Sequence, residues 1–160
     1  MTVRLASPDE AEELWNIRNQ AIRFGCQESY EASVINAWTP DKMPDSYRKV
    51  IAENPFFVAD GPEGKPVATG FLAISSGSVE AIFTLPAFTG SGMASLIIDA
   101  IKDEAKKRGF TRITLASTPN AATFYQKQGF VFIRESLYPS ALARTELRCV
   151  DMAFEFEPGL

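Results

Sequence analysis

The stretch that decides the fold is residues 78–110, SVEAIFTLPAFTGSGMASLIIDAIKDEAKKRGF. Its first eight residues, SVEAIFTL, read as a strand, which stops at Pro86 because proline has no N–H for a ladder. Glycines follow at 90 and 92. Met93, Leu96, Ile97, Ala100, Ile101 and Ala105 then recur at helical spacing, and Gly109 supplies a natural stop. A strand, a glycine loop and a helix in that order have two readings. The glycines serve an ordinary turn, or they let backbone approach an anion at the helix N terminus, where N–H groups are unpaired and the dipole is positive.

The second reading needs a ligand. A Walker loop requires G-K-[ST], and that triplet is absent. A dinucleotide fingerprint requires G-x-G-x-x-G, but Ser95 stands at the third glycine and no acidic residue ends the next strand, TRITLAS (111–117). Both nucleotide readings are weak, and an enzyme of another class that uses ATP or NAD stays as a rival.

Working outward, TVRLA (2–6) alternates as a short first strand. SPDEAEELWNIRNQAIRF (7–24) reads as a helix, with Ser7 as N-cap, Pro8 in the first turn and Glu10 completing a capping box. Ala11, Leu14, Ile17, Ala21 and Ile22 share one face of it. Residues 25–53 hold one or two shorter helices broken near TPDKMP. FFVAD and PVATGFLAIS are strands around the hairpin loop GPEGK. After TRITLAS, Thr118 and Pro119 start the helix NAATFYQKQ, which Gly129 ends. FVFIRESL and ELRCVDMAFEF are the last strands, joined by the loop YPSALART. The order is β-α-α-β-β-β-α-β-α-β-β, a mixed α/β arrangement around one sheet.

A chain of 160 residues, 46 % hydrophobic and 22 % charged, suits one soluble domain over 1–160. No apolar run approaches bilayer length, and the polar start MTVRLASPDEAEE is unlike a signal peptide, so a cytoplasmic protein with no membrane partner is expected. The net charge of −4 argues against nucleic acid as a partner. The two cysteines, Cys26 and Cys149, have neither redox nor metal-ligand spacing and read as free buried thiols. With no histidine, Ser-His-Asp and Cys-His catalysis are excluded, and no metal site is expected.

The segment SVEAIFTLPAFTGSGMASLI resembles the acetyl-CoA motif of the GNAT superfamily of N-acetyltransferases. There a strand ends near V-x-P, and Q/R-x-x-G-x-G/A opens a helix. Here the pattern falls on Thr84-Leu85-Pro86 and then Thr89-Gly90-Ser91-Gly92-Met93-Ala94. Downstream, NAATFYQKQGF is similar to the family's A-x-x-F-Y-x-x-x-G-F signature. The likeness is densest over residues 78–137, and the element order fits throughout. Thr89 departs from the usual Gln or Arg, Thr84 from Val, and Thr118 from Asn. The resemblance implies a GNAT-like fold: a mixed, largely antiparallel sheet of about seven strands, splayed in the middle and flanked by about four helices.

It also implies a function. Acetyl-CoA would be the cosubstrate, and a primary amine, on a small molecule or a protein, would attack it directly in a ternary complex. Ile82, Thr84, Leu85, Thr89, Gly90, Ser91, Gly92, Met93, Ala94, Ser95 and Asn120 would hold the cofactor. The N–H of Thr84 or Leu85 would polarise the acetyl carbonyl, and the pantetheine arm would pair with the same strand like an added one. Tyr125 would protonate the leaving thiolate, since a phenol with a pKa of about 10 keeps its proton at neutral pH. A core aromatic beside Phe124 is the other reading of Tyr125. Glu80 would take the amine's proton. Strand alternation puts Glu80, Ile82 and Thr84 on one face, and a carboxylate on a central strand calls for a reason. A solvated strand-end carboxylate is the alternative.

The acceptor would lie near Phe24, Tyr30, Trp38 and Tyr138, with Glu28 and Glu31 close by. Aromatic and acidic groups together suit a cation, although ordinary core and surface residues look the same. A non-catalytic acetyl-CoA sensor is the rival within the family. Exposed sheet edges are compatible with a homodimer.

Overall fold

The computed structural model describes residues 2–157. Residue 1 and residues 158–160 of the expected 1–160 domain therefore lie outside the described residues. The chain opens with β1 (Val3–Leu5) and a short turn at Pro8–Glu10. The predicted capping box forms there: the Ser7 N–H donates to Glu10 Oε1 at 2.9 Å, and the Asp9 N–H donates to Ser7 Oγ at 3.3 Å. It leads into α1 (Ala11–Gly25). Then come α2 (Ala32–Trp38) and α3 (Asp45–Glu53), separated where Pro40 and Pro44 deny the backbone two helical donors. Among the described residues the α-helices number five rather than about four, because this segment splits.

The remaining elements are β2 (Phe56–Asp60), β3 (Pro66–Ala73), β4 (Ser78–Thr84), α4 (Met93–Lys107), β5 (Arg112–Ser117), α5 (Ala122–Lys127), β6 (Val131–Ser140) and β7 (Thr145–Glu155). The seven strands form one sheet in the order β1-β2-β3-β4-β5-β7-β6. Every pairing is antiparallel except β4 with β5. Tyr138 lies on β6, because that strand continues to Ser140 through the segment read as a loop.

Side chains alternate along β2, and the core divides accordingly. Phe57 and Ala59 join Ile97, Ile98 and Ile101 of α4, whereas Phe56 and Val58 join Leu14 and Ile17 of α1. The sheet is thus covered on both faces, and each buried isoleucine or leucine contributes roughly 1.5–3 kcal/mol.

Two irregularities in β4 shape the site. First, β4 and β5 pair only at Ser78↔Thr114, with the Thr114 N–H on Gly77 O at 3.1 Å. Beyond that pair the two strands splay. Second, the β3–β4 register jumps between Thr69↔Phe83 and Phe71↔Glu80, so Ala81 and Ile82 together oppose Gly70. This is a bulge, and Ala81 takes φ 56°, a conformation that L residues rarely adopt. A Cβ on Gly70 would come within 2.4 Å of Ile82 Cδ1 and 2.5 Å of Ile97 Cγ2, so glycine is what lets Ile82 seat there.

The extra residue changes which side chains share a face. Glu80 sits opposite Phe71 on the α1 side, and Ile82 turns into the α4 core. The strict alternation that would group Glu80 with Ile82 fails because the bulge inserts one residue between them.

Candidate active site

The splay opens a cleft of about 840 Å³ between β4 and β5. Its walls come from α1, the α1–α2 loop, α2, β3, β4, the start of α4, the end of β5, α5, β6 and β7. Of the residues singled out from the sequence, Glu80, Ile82, Thr84, Thr89, Gly90, Gly92, Met93, Ala94, Ser95, Asn120, Tyr125, Tyr30, Trp38 and Tyr138 line it.

At one end stands the α4 N terminus. Gly90 and Gly92 take φ 79° and 86°, and a Cβ on either would meet nothing within 4 Å. Glycine is needed there for backbone conformation, not for room. Gly92 is the N-cap and offers no side-chain acceptor. Among the described residues, the N–H groups of Gly90, Gly92, Met93, Ala94 and Ser95 consequently have no partner, while the Leu96 N–H is the first to reach a carbonyl, that of Gly92. These unpaired donors at a positive dipole end form an anion cradle. Thr89 Oγ1 donates to Pro86 O at 2.9 Å, so its hydroxyl is turned back on its own loop. Ser91 Oγ likewise bonds Phe88 O, and Ser91 does not line the cleft. Leu85 is not a lining residue either. Its N–H donates to Val67 O at 2.8 Å, which removes it as a carbonyl-polarising donor.

In the middle, Glu80 projects from β4 and accepts from Ser78 Oγ at 3.2 Å. Burial raises its pKa above the ordinary carboxylate range, and the Ser78 bond only partly offsets that. Tyr125, on α5, is 8 % exposed and packs edge-on against Phe124 and Phe130. Burial first, and the Glu80 charge second, push its pKa up, so the phenol stays protonated. Glu80, Tyr125 and Tyr138 all line the cleft, and burial first, with the Glu80 charge second, raises the Tyr138 pKa too. Phe124 lines the cleft beside Tyr125.

The far wall belongs to α1, α2 and β7. Tyr30 Oη donates to Arg148 O, and Tyr30 meets Trp38 edge-on at 5.7 Å. Asn120 Oδ1 accepts from Ser29 Oγ at 3.4 Å and Cys26 Sγ at 3.7 Å, so Asn120 faces the α1–α2 loop. Phe24 is 55 % exposed and lies outside the cleft, because it falls off the apolar stripe of α1. Glu28 and Glu31 are exposed and outside it as well. Both cysteines line the cleft as free thiols. Burial lifts Cys26 to about 11 and also raises Cys149, so neither is a ready thiolate.

Sequence reasoning missed Arg18. It lines the cleft at 8 % exposure, with its guanidinium 4.2 Å from the Trp15 ring. The signal was present: Arg18 is four residues after Leu14 and four before Ile22, on the buried stripe itself. It also missed the bulge at Ala81, since nothing in VEAIF marks an extra residue. Among the described residues no cluster could hold a metal ion, and no helix is long and apolar enough to cross a membrane.

Residues 26–155 match the family described as Acetyltransferase (GNAT) domain. No curated protein matches the chain. Among solved structures, a GCN5-related N-acetyltransferase from Rhodopseudomonas palustris superposes with a TM-score of 0.87 at 20 % identity, covering 97 % of this chain and 95 % of that one. The PaiA N-acetyltransferase from Thermoplasma acidophilum, solved with coenzyme A, gives 0.78 at 16 % identity over 97 % and 98 %. A phosphinothricin acetyltransferase from Sinorhizobium meliloti, solved with acetyl-CoA, gives 0.73 at 15 % identity over 99 % and 89 %.

Proposed function

This chain belongs to the GNAT acetyltransferase family, and from that premise we propose that it is a single-domain N-acetyltransferase that moves the acetyl group of acetyl-CoA to a primary amine by direct attack. The observation that carries the reading is the splay beyond Ser78↔Thr114 with the uncapped α4 N terminus at its mouth. The chemistry of the donors fits the cosubstrate. Gly90, Gly92, Met93, Ala94 and Ser95 present five N–H groups to a pyrophosphate. The β4 edge that β5 abandons suits an amide-bearing arm added as a strand. Two of the solved relatives were captured with coenzyme A or acetyl-CoA.

When bound, acetyl-CoA supplies an activated acyl group and a thiol leaving group. Glu80 accepts a proton from the incoming ammonium, which otherwise holds it up to a pH near ~10. Its raised pKa makes it a better base than a solvated carboxylate while it remains ionised. Tyr125 keeps a proton on Oη for the sulfur side of the cleft. The bulge at Ala81–Ile82 turns the β4 backbone out of register beside the cleft, and an N–H there would polarise the acetyl carbonyl, the role that Leu85 cannot fill. Cys26 and Cys149, both protonated, support direct attack over an acyl-cysteine route. A second copy of the chain would suit the outer edge of β6, where Val131, Phe132 and Leu137 are 62 %, 55 % and 55 % exposed.

The test is the melting temperature with acetyl-CoA, against ATP and NAD. A ligand at ~100 Kd that binds only the folded state adds roughly 2.7 kcal/mol, so a shift with acetyl-CoA alone is expected. A shift with ATP or NAD alone would sink the proposal. Binding without amine acetylation would leave the sensor reading in its place.

A further inference from the structure

Arg18 is a buried cation without an anion. It sits mid-helix on α1, 8 % exposed, and no carboxylate among the described residues lies within ion-pair distance of it. The molecule's other arginine ion pairs lie at far more exposed side chains. Burying an unpaired charge is costly, so its setting asks for a compensating group.

The protein compensates in part. The Trp15 ring lies 4.2 Å from the guanidinium and the Trp38 ring 5.9 Å. Nη1 donates to Asn19 Oδ1 at 2.7 Å and to Trp38 O at 3.0 Å. Nε and Nη2 have no partner among the described residues, and neither is a fully enclosed orphan. Arg18 lines the cleft, and these two N–H groups are what its fork has left to offer a ligand there. Desolvation lowers the Arg18 pKa to about 10, the mark of a cation still short of negative charge.

A role in bracing the chain does not account for this edge. The 38–40 segment is already tied to α1 by Trp15 Nε1 and Asn19 Nδ2, both on Pro40 O at 2.8 Å, and by Arg23 on Thr39. The Nε–Nη2 edge of a guanidinium offers two parallel donors, a match for a planar carboxylate. Two aromatic rings and Asn19 hold it in one orientation before any ligand arrives.

We propose that the acceptor is a small amine that also bears a carboxylate, of amino-acid type, with Arg18 binding the carboxylate while the amino group meets Glu80. This rests on the acetyltransferase reading. α1 packs across β4, Glu80 projects to that same side, and both groups line the one cleft. A bare alkyl amine, or a peptide N terminus whose α-carboxyl is an amide, leaves the Arg18 edge unpaired and is rejected on that ground.

The experiment uses α-amino acids with their carboxamides and decarboxylated amines as matched probes. Melting shifts are read in the presence of coenzyme A, and turnover is read by thiol release from acetyl-CoA. In the wild type, at least one amino acid should stabilise the protein and be acetylated with kcat/KM about 100-fold above its carboxamide, the scale of a lost buried charge pair. Arg18→Gln should collapse that ratio toward one while keeping the melting shift with acetyl-CoA, and Arg18→Lys should restore part of it. Equal or better use of carboxamides or bare amines by the wild type would overturn the inference. So would Arg18→Gln losses equal for all three probes, or a panel in which no carboxylate-bearing amine binds. An absent acetyl-CoA shift in the wild type would instead strike the underlying acetyltransferase reading.

Discussion

The two halves of the cleft are built from different materials. The half proposed for the cofactor is mostly backbone: five free N–H groups at the α4 N terminus and one strand edge left open by the splay. The half proposed for the acceptor is mostly side chain: Arg18, Tyr30, Trp38 and Tyr138, brought in from α1, the α1–α2 loop, α2 and β6. Backbone donors are set by local conformation, so a short motif specifies them. A wall of side chains from four places is specified only by the whole packing. The contrast predicts that single substitutions in the first half act locally and modestly, whereas the chemistry between the halves depends on one or two groups.

The largest effect should fall on the group that joins the halves. Glu80→Gln removes the proposed base, and kcat should drop by about 10²–10⁴-fold at neutral pH. The sign of the pH dependence follows from the raised pKa of Glu80. Below that pKa the carboxyl is protonated and inactive as a base, so activity rises with pH on a limb displaced above the ordinary carboxylate range. In Glu80→Gln that limb should vanish and activity should recover only as the amine loses its own proton. A pH–rate profile of the variant identical in shape to the wild type would remove Glu80 from the role.

Next is Tyr125→Phe, which keeps the ring packing against Phe124 and Phe130 and deletes one hydroxyl. A fall in kcat of about 10²-fold, the low end for a proton-transfer group, is expected, with the acetyl-CoA melting shift intact. Such a result separates proton supply from binding. Unchanged turnover would return Tyr125 to the core as an ordinary aromatic.

How much of this was legible follows the same division. The strand–glycine–helix run at 78–110 is local, and its elements stand where the pattern placed them, β4 at Ser78–Thr84 and α4 at Met93–Lys107. Tyr125 and Asn120 were found to line the cleft because the signature around them is short. The bulge escaped notice because it arises from β3 and β4 together: Gly70 opens the space that Ile82 fills, twelve positions along the chain. Arg18 escaped because a charge on an apolar stripe looks like the edge of the stripe until the Trp15 and Trp38 rings close around it. Phe24 was misplaced for the converse reason, an aromatic that falls on the solvent side of the same helix.

A smaller effect sharpens the backbone half. At Gly92 the added methyl of Gly92→Ala meets open space, so the penalty comes from φ 86° alone. About 1 kcal/mol of stability should be lost, seen as a lower melting temperature without ligand. Affinity for acetyl-CoA should fall by less than tenfold, since the N–H donors remain. A complete loss of binding would mean that the methyl fills space the cofactor needs.

The smallest effect tests where the acceptor half ends. Phe24 is more than half exposed and outside the cleft, whereas Trp38, of the same aromatic class, lines it beside Arg18. Phe24→Ser removes little buried surface, so stability should change by no more than about 0.5 kcal/mol. Acceptor kcat/KM should hold within about twofold, because no wall group moves. Trp38→Ser should instead raise the acceptor KM, since the ring that helps to fix the Arg18 fork is gone. If the two variants raised the acceptor KM equally, the acceptor would reach over the rim of α1, and the division between cleft wall and solvent face drawn through residue 24 would have to be redrawn.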